Sequence, residues 1–182
     1  LRAGSVFVDI LSNLDVKDDR AMICTECGAS MTTRRENYRY QECGLPDVTL
    51  KGIDVSRCPN CGNYEISIPR IEELHRLIAK ALIEKMTRFT GAEIRFLRKG
   101  LGLSATDFAR RMGVTVETVS RWENDAAAIG PQADRLLRLL VAQGRLTTQY
   151  PEEQLDRINT KTAKATKLGV MLENEEWAVV AA

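Results

Sequence analysis

Apolar residues recur along this chain with two different periods, and the change of period divides it. From residue 71 onward Ile71, Leu74, Ile78, Ala81 and Leu82 fall on one stripe at helical spacing, which predicts a helix starting after Pro69 and running to about residue 86. Shorter helices follow. Thr90-x-x-Glu93 is a capping box, and it opens a helix with Ile94 and Leu97 on one face that ends at Gly100 and Gly102. Ser104 caps the next, which runs through Phe108 to Met112 and stops at Gly113; Thr115 caps a third carrying Val116, Val119 and Trp122. A last helix begins at Pro131, with Leu136, Leu137, Leu139 and Leu140 supplying core. Two helices joined by a turn of about three residues with Gly in it is the pattern of a helix-turn-helix.

Before residue 69 the period is nearer two. Tyr38 and Tyr40, then Val48, Leu50, Ile53 and Val55, read as strands, with Gly52 breaking the alternation and a loop around Glu42-Cys43-Gly44-Leu45-Pro46. Near the other end, residues 168–172 and 177–180 flank Glu173-Asn174-Glu175-Glu176 and read as a β-hairpin; a frayed acidic tail is the competing reading.

Composition settles the class. The chain has 182 residues, 44% hydrophobic and 28% charged, enough for one core or two small ones. Its early apolar stretch, Val6 to Leu11, is interrupted by Asp9 and falls far short of the about 20 residues a bilayer requires. No membrane segment and no secretory leader are expected, so the compartment expected is the cytoplasm, where thiols stay reduced. Five cysteines is also an odd number, which a closed disulfide framework would not use up.

Four of those cysteines carry a pattern. "CTECG" at 24–28 and "CPNCG" at 58–62 are two Cys-x-x-Cys-Gly knuckles, and a pair of knuckles makes one tetrahedral thiolate site. Cys24, Cys27, Cys58 and Cys61 are therefore the expected ligands of one structural Zn²⁺ per chain, with strands between them as in a zinc ribbon; Cys43 lacks a partner at knuckle spacing. Free or redox-active thiols are the bland alternative. A rubredoxin-like iron carrier is the remote one, disfavoured because residues 22–84 hold no Trp or Phe. Four thiolates close the coordination shell, so the metal should support folding and not catalysis. His75, the single histidine, is expected to face solvent, and with no nucleophile beside it no enzyme is expected.

Charge is uneven. Residues 85–145 carry eleven Lys and Arg against six Asp and Glu, a net charge of +5, which suits either nucleic acid or a solvated face. The wording of the segment favours the first. "LGLSATDFARRMGVTVETVSRWEND", residues 101–125, resembles the Xre/Cro-type helix-turn-helix family over roughly residues 90–141. That resemblance implies a core of Ala109, Val114, Val119 and Trp122. It also implies a surface facing double-stranded DNA made of Thr115, Val116, Glu117, Thr118, Ser120 and Arg121, with Arg110 and Arg111 near phosphates. Ala105 stands where the family often has Gln, so a contact from that position does not carry over.

Knuckles, helix and helix-turn-helix in this order make the whole similar to the MqsA/YgiT-type antitoxin family over about residues 22–141. Such chains begin just before the first knuckle, which makes Met22 a natural start and leaves residues 1–21 an extension of doubtful relevance. The expected fold class is α+β in two domains: a four-cysteine zinc ribbon at 22–68, a connecting helix at 69–88, an all-α helix-turn-helix domain at 89–145, and an extension at 146–182 with the hairpin. The resemblance implies a homodimeric repressor that represses its own operon and whose zinc domain can bind a ribonuclease toxin. A stand-alone transcriptional regulator with no toxin partner is the alternative.

Overall fold

Local capping sets most helix starts in the computed structural model, which describes residues 22–144 and 158–181. The expected extension 1–21 and the first part of the expected extension 146–182, residues 146–157, lie outside the described residues. Among those described are five α-helices: α1 (Ile71–Glu84), α2 (Gly91–Gly100), α3 (Ala105–Met112), α4 (Val116–Glu123) and α5 (Pro131–Gln143). The Thr90/Glu93 capping box forms in full, and the Ser104 and Thr115 hydroxyls accept from the N–H groups of Asp107 and Thr118. Gly113 ends α3 in the left-handed conformation, φ 69°, which a side chain would oppose.

The strands are β1 (Thr32–Arg39), β2 (Val48–Arg57), β3 (Tyr64–Ile66), β4 (Thr87–Arg88), β5 (Asn159–Ala163), β6 (Leu168–Glu173) and β7 (Glu176–Val180). A 3-10 turn, Gln41–Cys43, occupies the expected loop. The hairpin at the far end forms as β6 and β7, paired from Gly169↔Val180 to Glu173↔Glu176. Its two turn residues, Asn174 and Glu175, take φ of 47° and 64°, the double left-handed turn whose twist suits a two-residue connection.

What periodicity did not reveal is where that hairpin goes. β6 lies parallel to β2, with Val48, Thr49, Leu50 and Lys51 opposite Leu168, Gly169, Val170 and Met171, giving the strand order β1-β2-β6-β7. Leu50 and Val170, at matched positions, are both fully buried. β4 likewise pairs in parallel with β5.

Contacts divide the chain into two units. Among the described residues, one comprises the cysteine knuckles, residues 22–33 together with 56–65. The other comprises residues 34–55, 66–144 and 158–181. This boundary differs from the expected one at residue 68, because the stretch of β2 from 48 to 55 buries Val48, Leu50, Ile53 and Val55 in the second unit's core. It also differs for α1. Expected as a connector between domains, α1 lies within the second unit and buries Leu74, Ile78, Ala79, Leu82 and Ile83 there. Two residues expected on core stripes are displaced from them: Ile71 and Leu136 are 43% and 37% exposed. Leu137 takes the core position, since neighbours on a helix point about 100° apart.

The second unit also buries charge. Asp134 and Arg138 of α5 pair at 2.7 Å with both side chains fully buried. Arg138 donates to the carbonyls of Ile83, Lys85 and Thr87 and lies over the Phe89 ring, while Asp134 accepts the Phe89 N–H. Every polar group of the pair is thus occupied in joining α5 to the chain between α1 and α2. Buried Lys85 meets Glu93, whose other oxygen accepts from the N–H and hydroxyl of Thr166. Burial pulls the Lys85 ammonium below its ordinary range against the opposing pull of Glu93. His75 departs from the solvent-facing expectation. It is half-buried, its Nε2 3.0 Å from the hydroxyl of buried Tyr40 and its ring edge-on to Phe96, and burial lowers its pKa.

Candidate metal centre and nucleic-acid interface

The two knuckles fold alike because their sequences place glycine alike. Gly28 and Gly62, each four residues after the first cysteine of its knuckle, take φ of 72° and 76°. Each donates its N–H back to that cysteine's carbonyl, Gly28 to Cys24 at 2.9 Å and Gly62 to Cys58 at 3.1 Å. The N–H groups of Cys24 and Cys58 close the turns onto the carbonyls of Ala29 and Asn63. A left-handed residue at this place lets the chain double back, so the two sulfurs of each knuckle face the same point.

The Sγ atoms of Cys24, Cys27, Cys58 and Cys61 lie within 4.8 Å of one another. Cys24 and Cys61 are 3.6 Å apart, Cys27 and Cys58 3.4 Å. These distances exceed a disulfide's length of about 2.05 Å. They approach the edge of about 3.8 Å that a tetrahedron with metal–sulfur bonds of about 2.3 Å would have. Charge supports the same fit. The backbone N–H of Ala29 and the Asn60 side chain draw Cys27 down to about 6. The N–H of Asn63 works in that direction on Cys61 too, but the Cys24 and Cys27 sulfurs outweigh it and push Cys61 up to about 12. Four sulfurs this close cannot all be thiolates unless a cation sits among them. The four cysteines are positioned to bind a metal ion and are compatible with zinc. Cys43 is elsewhere, in the second unit, donating to the Tyr40 carbonyl, and burial raises its thiol.

In the helix-turn-helix, α3 and α4 are set by one buried face. Ala109, Val119 and Trp122 are 2%, 0% and 6% exposed, and Val114 in the turn packs half-buried against the same core. The opposite face is open: Thr115, Val116, Glu117, Ser120 and Arg121 are exposed, Thr118 is half-buried, and Arg110 and Arg111 are exposed at the end of α3. Arg110 pairs with Asp107 at 2.8 Å. Glu117 accepts from its own N–H and from Thr115, which lowers its carboxyl. Among the described residues Arg121 has no ion-pair partner.

Glu123, two residues after Arg121 on α4, is held by α2. Arg98 and Arg95 reach Glu123 at 2.5 and 3.2 Å, and Arg98 also donates to the Leu103 carbonyl. Burial opposes ionisation of Glu123, yet both guanidiniums outweigh it and hold the carboxyl below its ordinary range. Gly91 completes the junction, since a Cβ there would fall 2.6 Å from the Trp122 carbonyl oxygen. Arg95, Arg98, Gly91 and the two asparagines beside the sulfurs escaped sequence reading; for Arg95 and Arg98 the available signal was their one-turn overlap on the face of α2 beside Leu97.

A helix-turn-helix family model matches residues 94–142, from within α2 to within α5. Escherichia coli K12 YiaG, described as an uncharacterized HTH-type transcriptional regulator, is 36% identical over 86 residues, 45% of this chain and 90% of the relative. YiaG of strains O6:H1 and O157:H7 matches to the same extent. A core holding α4 by its apolar face, an exposed opposite face and these matches agree: the chain belongs to the helix-turn-helix family of transcriptional regulators.

Proposed function

We propose that this regulator is a sequence-specific repressor of the zinc-ribbon/helix-turn-helix antitoxin type, binding a double-stranded operator as a homodimer. The observation that carries the DNA-reading part is the open face of α4, where Arg121 stands unpaired one helical turn from Glu117. An unengaged guanidinium can donate a bidentate pair to guanine O6 and N7, worth about 1–3 kcal/mol of base discrimination. Glu117 can only accept, so a base it met would offer a donor such as cytosine N4. Arg110 and Arg111 serve phosphates.

Binding to an operator selected from random DNA, measured across several salt concentrations, tests this. Arg121→Ala should weaken specific binding and relax preference at one base pair per half-site, whereas Arg111→Ala should mainly flatten the salt dependence. Unchanged affinity and base preference in Arg121→Ala would mean that α4 does not read DNA.

The remaining parts rest on narrower grounds. Cys24, Cys27, Cys58 and Cys61 would hold one structural Zn²⁺, which bound there would supply cross-linking and charge neutralisation. Two-fold pairing suits half-sites one helical turn apart, with exposed Leu136 on α5 as the candidate contact. The antitoxin role rests on the order of knuckles and helix-turn-helix in the sequence. Co-purification with the product of the neighbouring gene separates an antitoxin from a stand-alone regulator.

A further inference from the structure

A hydroxyl on the exposed face of α4 has its direction fixed from outside the helix. Asn124 turns its amide back over the last turn of α4, with Nδ2 2.9 Å from the Ser120 carbonyl oxygen and 3.4 Å from the Ser120 Oγ. An amide alone can sit either way round. Here Arg95 decides it, because its Nη2 donates to the Asn124 Oδ1 at 2.8 Å, and a flipped amide would set one donor against another. Arg95 is anchored in turn, donating from Nη2 to the Glu123 carbonyl at 3.1 Å and from Nε to the Glu123 carboxylate at 3.2 Å. The relay therefore runs one way, from guanidinium to amide to hydroxyl.

What the relay leaves over is a proton. Ser120 has one O–H to give; among the described residues its Oγ receives the Asn124 amide, and no acceptor takes its hydrogen. That hydrogen is free to point outward. At about 100° per residue, Ser120 falls between Val116 and Glu117 around the axis of α4. All three are exposed, so the hydroxyl stands inside the face proposed to meet DNA and not at its rim. A serine can meet a base edge as donor or as acceptor. Here a base that offered only a donor would trap the O–H without a partner.

We propose, building on the DNA reading above, that Ser120 is a specificity-determining residue, with Asn124 and Arg95 as the positioning residues behind it. The hydroxyl donates to a major-groove acceptor, which is guanine or adenine N7, guanine O6 or thymine O4, and it rejects cytosine, whose edge presents only the N4 donor. Discrimination comes from desolvating an unmatched hydroxyl, the costly side of a hydrogen bond that is not made. Arg121 and Glu117 read with charge. Ser120 reads with a neutral group that displaces no counterion, so its preference keeps the same size at every salt concentration.

The experiment uses the full-length protein and the operator selected from random DNA, with each position of a half-site replaced in turn by the other base pairs. Ser120→Ala should flatten the preference at one base pair, where the wild type disfavours cytosine on the contacted strand by about tenfold, and should do so equally at low and high salt. Asn124→Ala frees the hydroxyl to turn either way. It should flatten the same base pair, and adding it to Ser120→Ala should change the preference no further. Both side chains are exposed and alanine is a strong helix former, so both variants should keep the fold, which thermal melting checks. A role confined to holding α4 in place would lower affinity for every operator variant alike and leave the preference standing, which overturns the inference. A preference lost in Ser120→Ala but kept in Asn124→Ala overturns it too. Arg121→Ala separates the two levels. If it relaxes its own base pair while Ser120→Ala relaxes none, the inference fails alone; if neither variant alters any preference, the DNA reading fails with it.

Discussion

The cysteine unit buries Cys24, Met31 and Cys58, with Ala29 packed against them; the helix-bearing unit buries side chains from β2, β6, β7 and all five helices. Ordering a residue costs about 1–2 kcal/mol of backbone entropy, which three buried side chains cannot offset over more than twenty residues, whereas a continuous core can. The two units therefore depend on different physics. In one the sulfur cluster must supply the stability, and in the other apolar burial does, with ionic groups fixing which helix meets which.

Removing the proposed zinc should divide the units most sharply. Apparent binding energies of structural zinc are about 10–16 kcal/mol, so chelation or Cys58→Ser should abolish hydrogen-exchange protection at the Cys24, Gly28, Cys58 and Gly62 amides. The main denaturant transition should stay nearly where it was. A single transition that moves with zinc would erase the distinction.

The converse change belongs to α5. Arg138→Met leaves Asp134 buried without its cation, a loss of about 3–5 kcal/mol read as a lower urea midpoint, with zinc content unaltered. A smaller loss, about 1–3 kcal/mol, is expected of Gly91→Ala, because its Cβ meets backbone oxygens of Trp122 and Glu123 that cannot swing aside. Thermal unfolding measures it, and DNA affinity should fall alongside because the end of α4 is displaced.

The smallest effect is a pH dependence. Burial holds the His75 pKa below its ordinary 6.5, so as pH falls the unfolded chain takes up the proton first. The stability contributed by neutral His75 is full above that value and is lost as pH drops through it. Between about pH 7.5 and 5.5 the wild-type midpoint should decline more than that of His75→Gln. Equal declines would place the titration elsewhere.

How much of this was legible follows from range. The caps at Thr90, Ser104 and Thr115 were readable because a hydroxyl and an N–H three residues apart decide them. The knuckles were readable for the same reason. The Asp134/Arg138 pair, four residues apart, looks in sequence like any surface pair on a helix, and only tertiary packing buries it. His75 was misjudged because the helical wheel cannot show that Tyr40, thirty-five residues earlier, covers it. The α4 face was readable by resemblance, but the capture of Glu123 by Arg95 and Arg98 required knowing how α2 crosses α4.

The parallel pairing of β6 with β2 sets an order of events during synthesis. Residues 48–51 leave the ribosome well before their partners at 168–171, and the entire helix-turn-helix is made in between. Through that interval the nascent chain carries β2 with its inner edge unpaired, rich in Val, Leu and Ile and ready to pair with a neighbour. Glycine at 169 and the tight Asn174-Glu175 turn let the last segment fold on itself as a hairpin and add to that edge in one piece. A chain stopped after α5 would retain its recognition helix while leaving this edge permanently open, making aggregation and proteolysis, more than loss of DNA contacts, the expected fate of truncated copies.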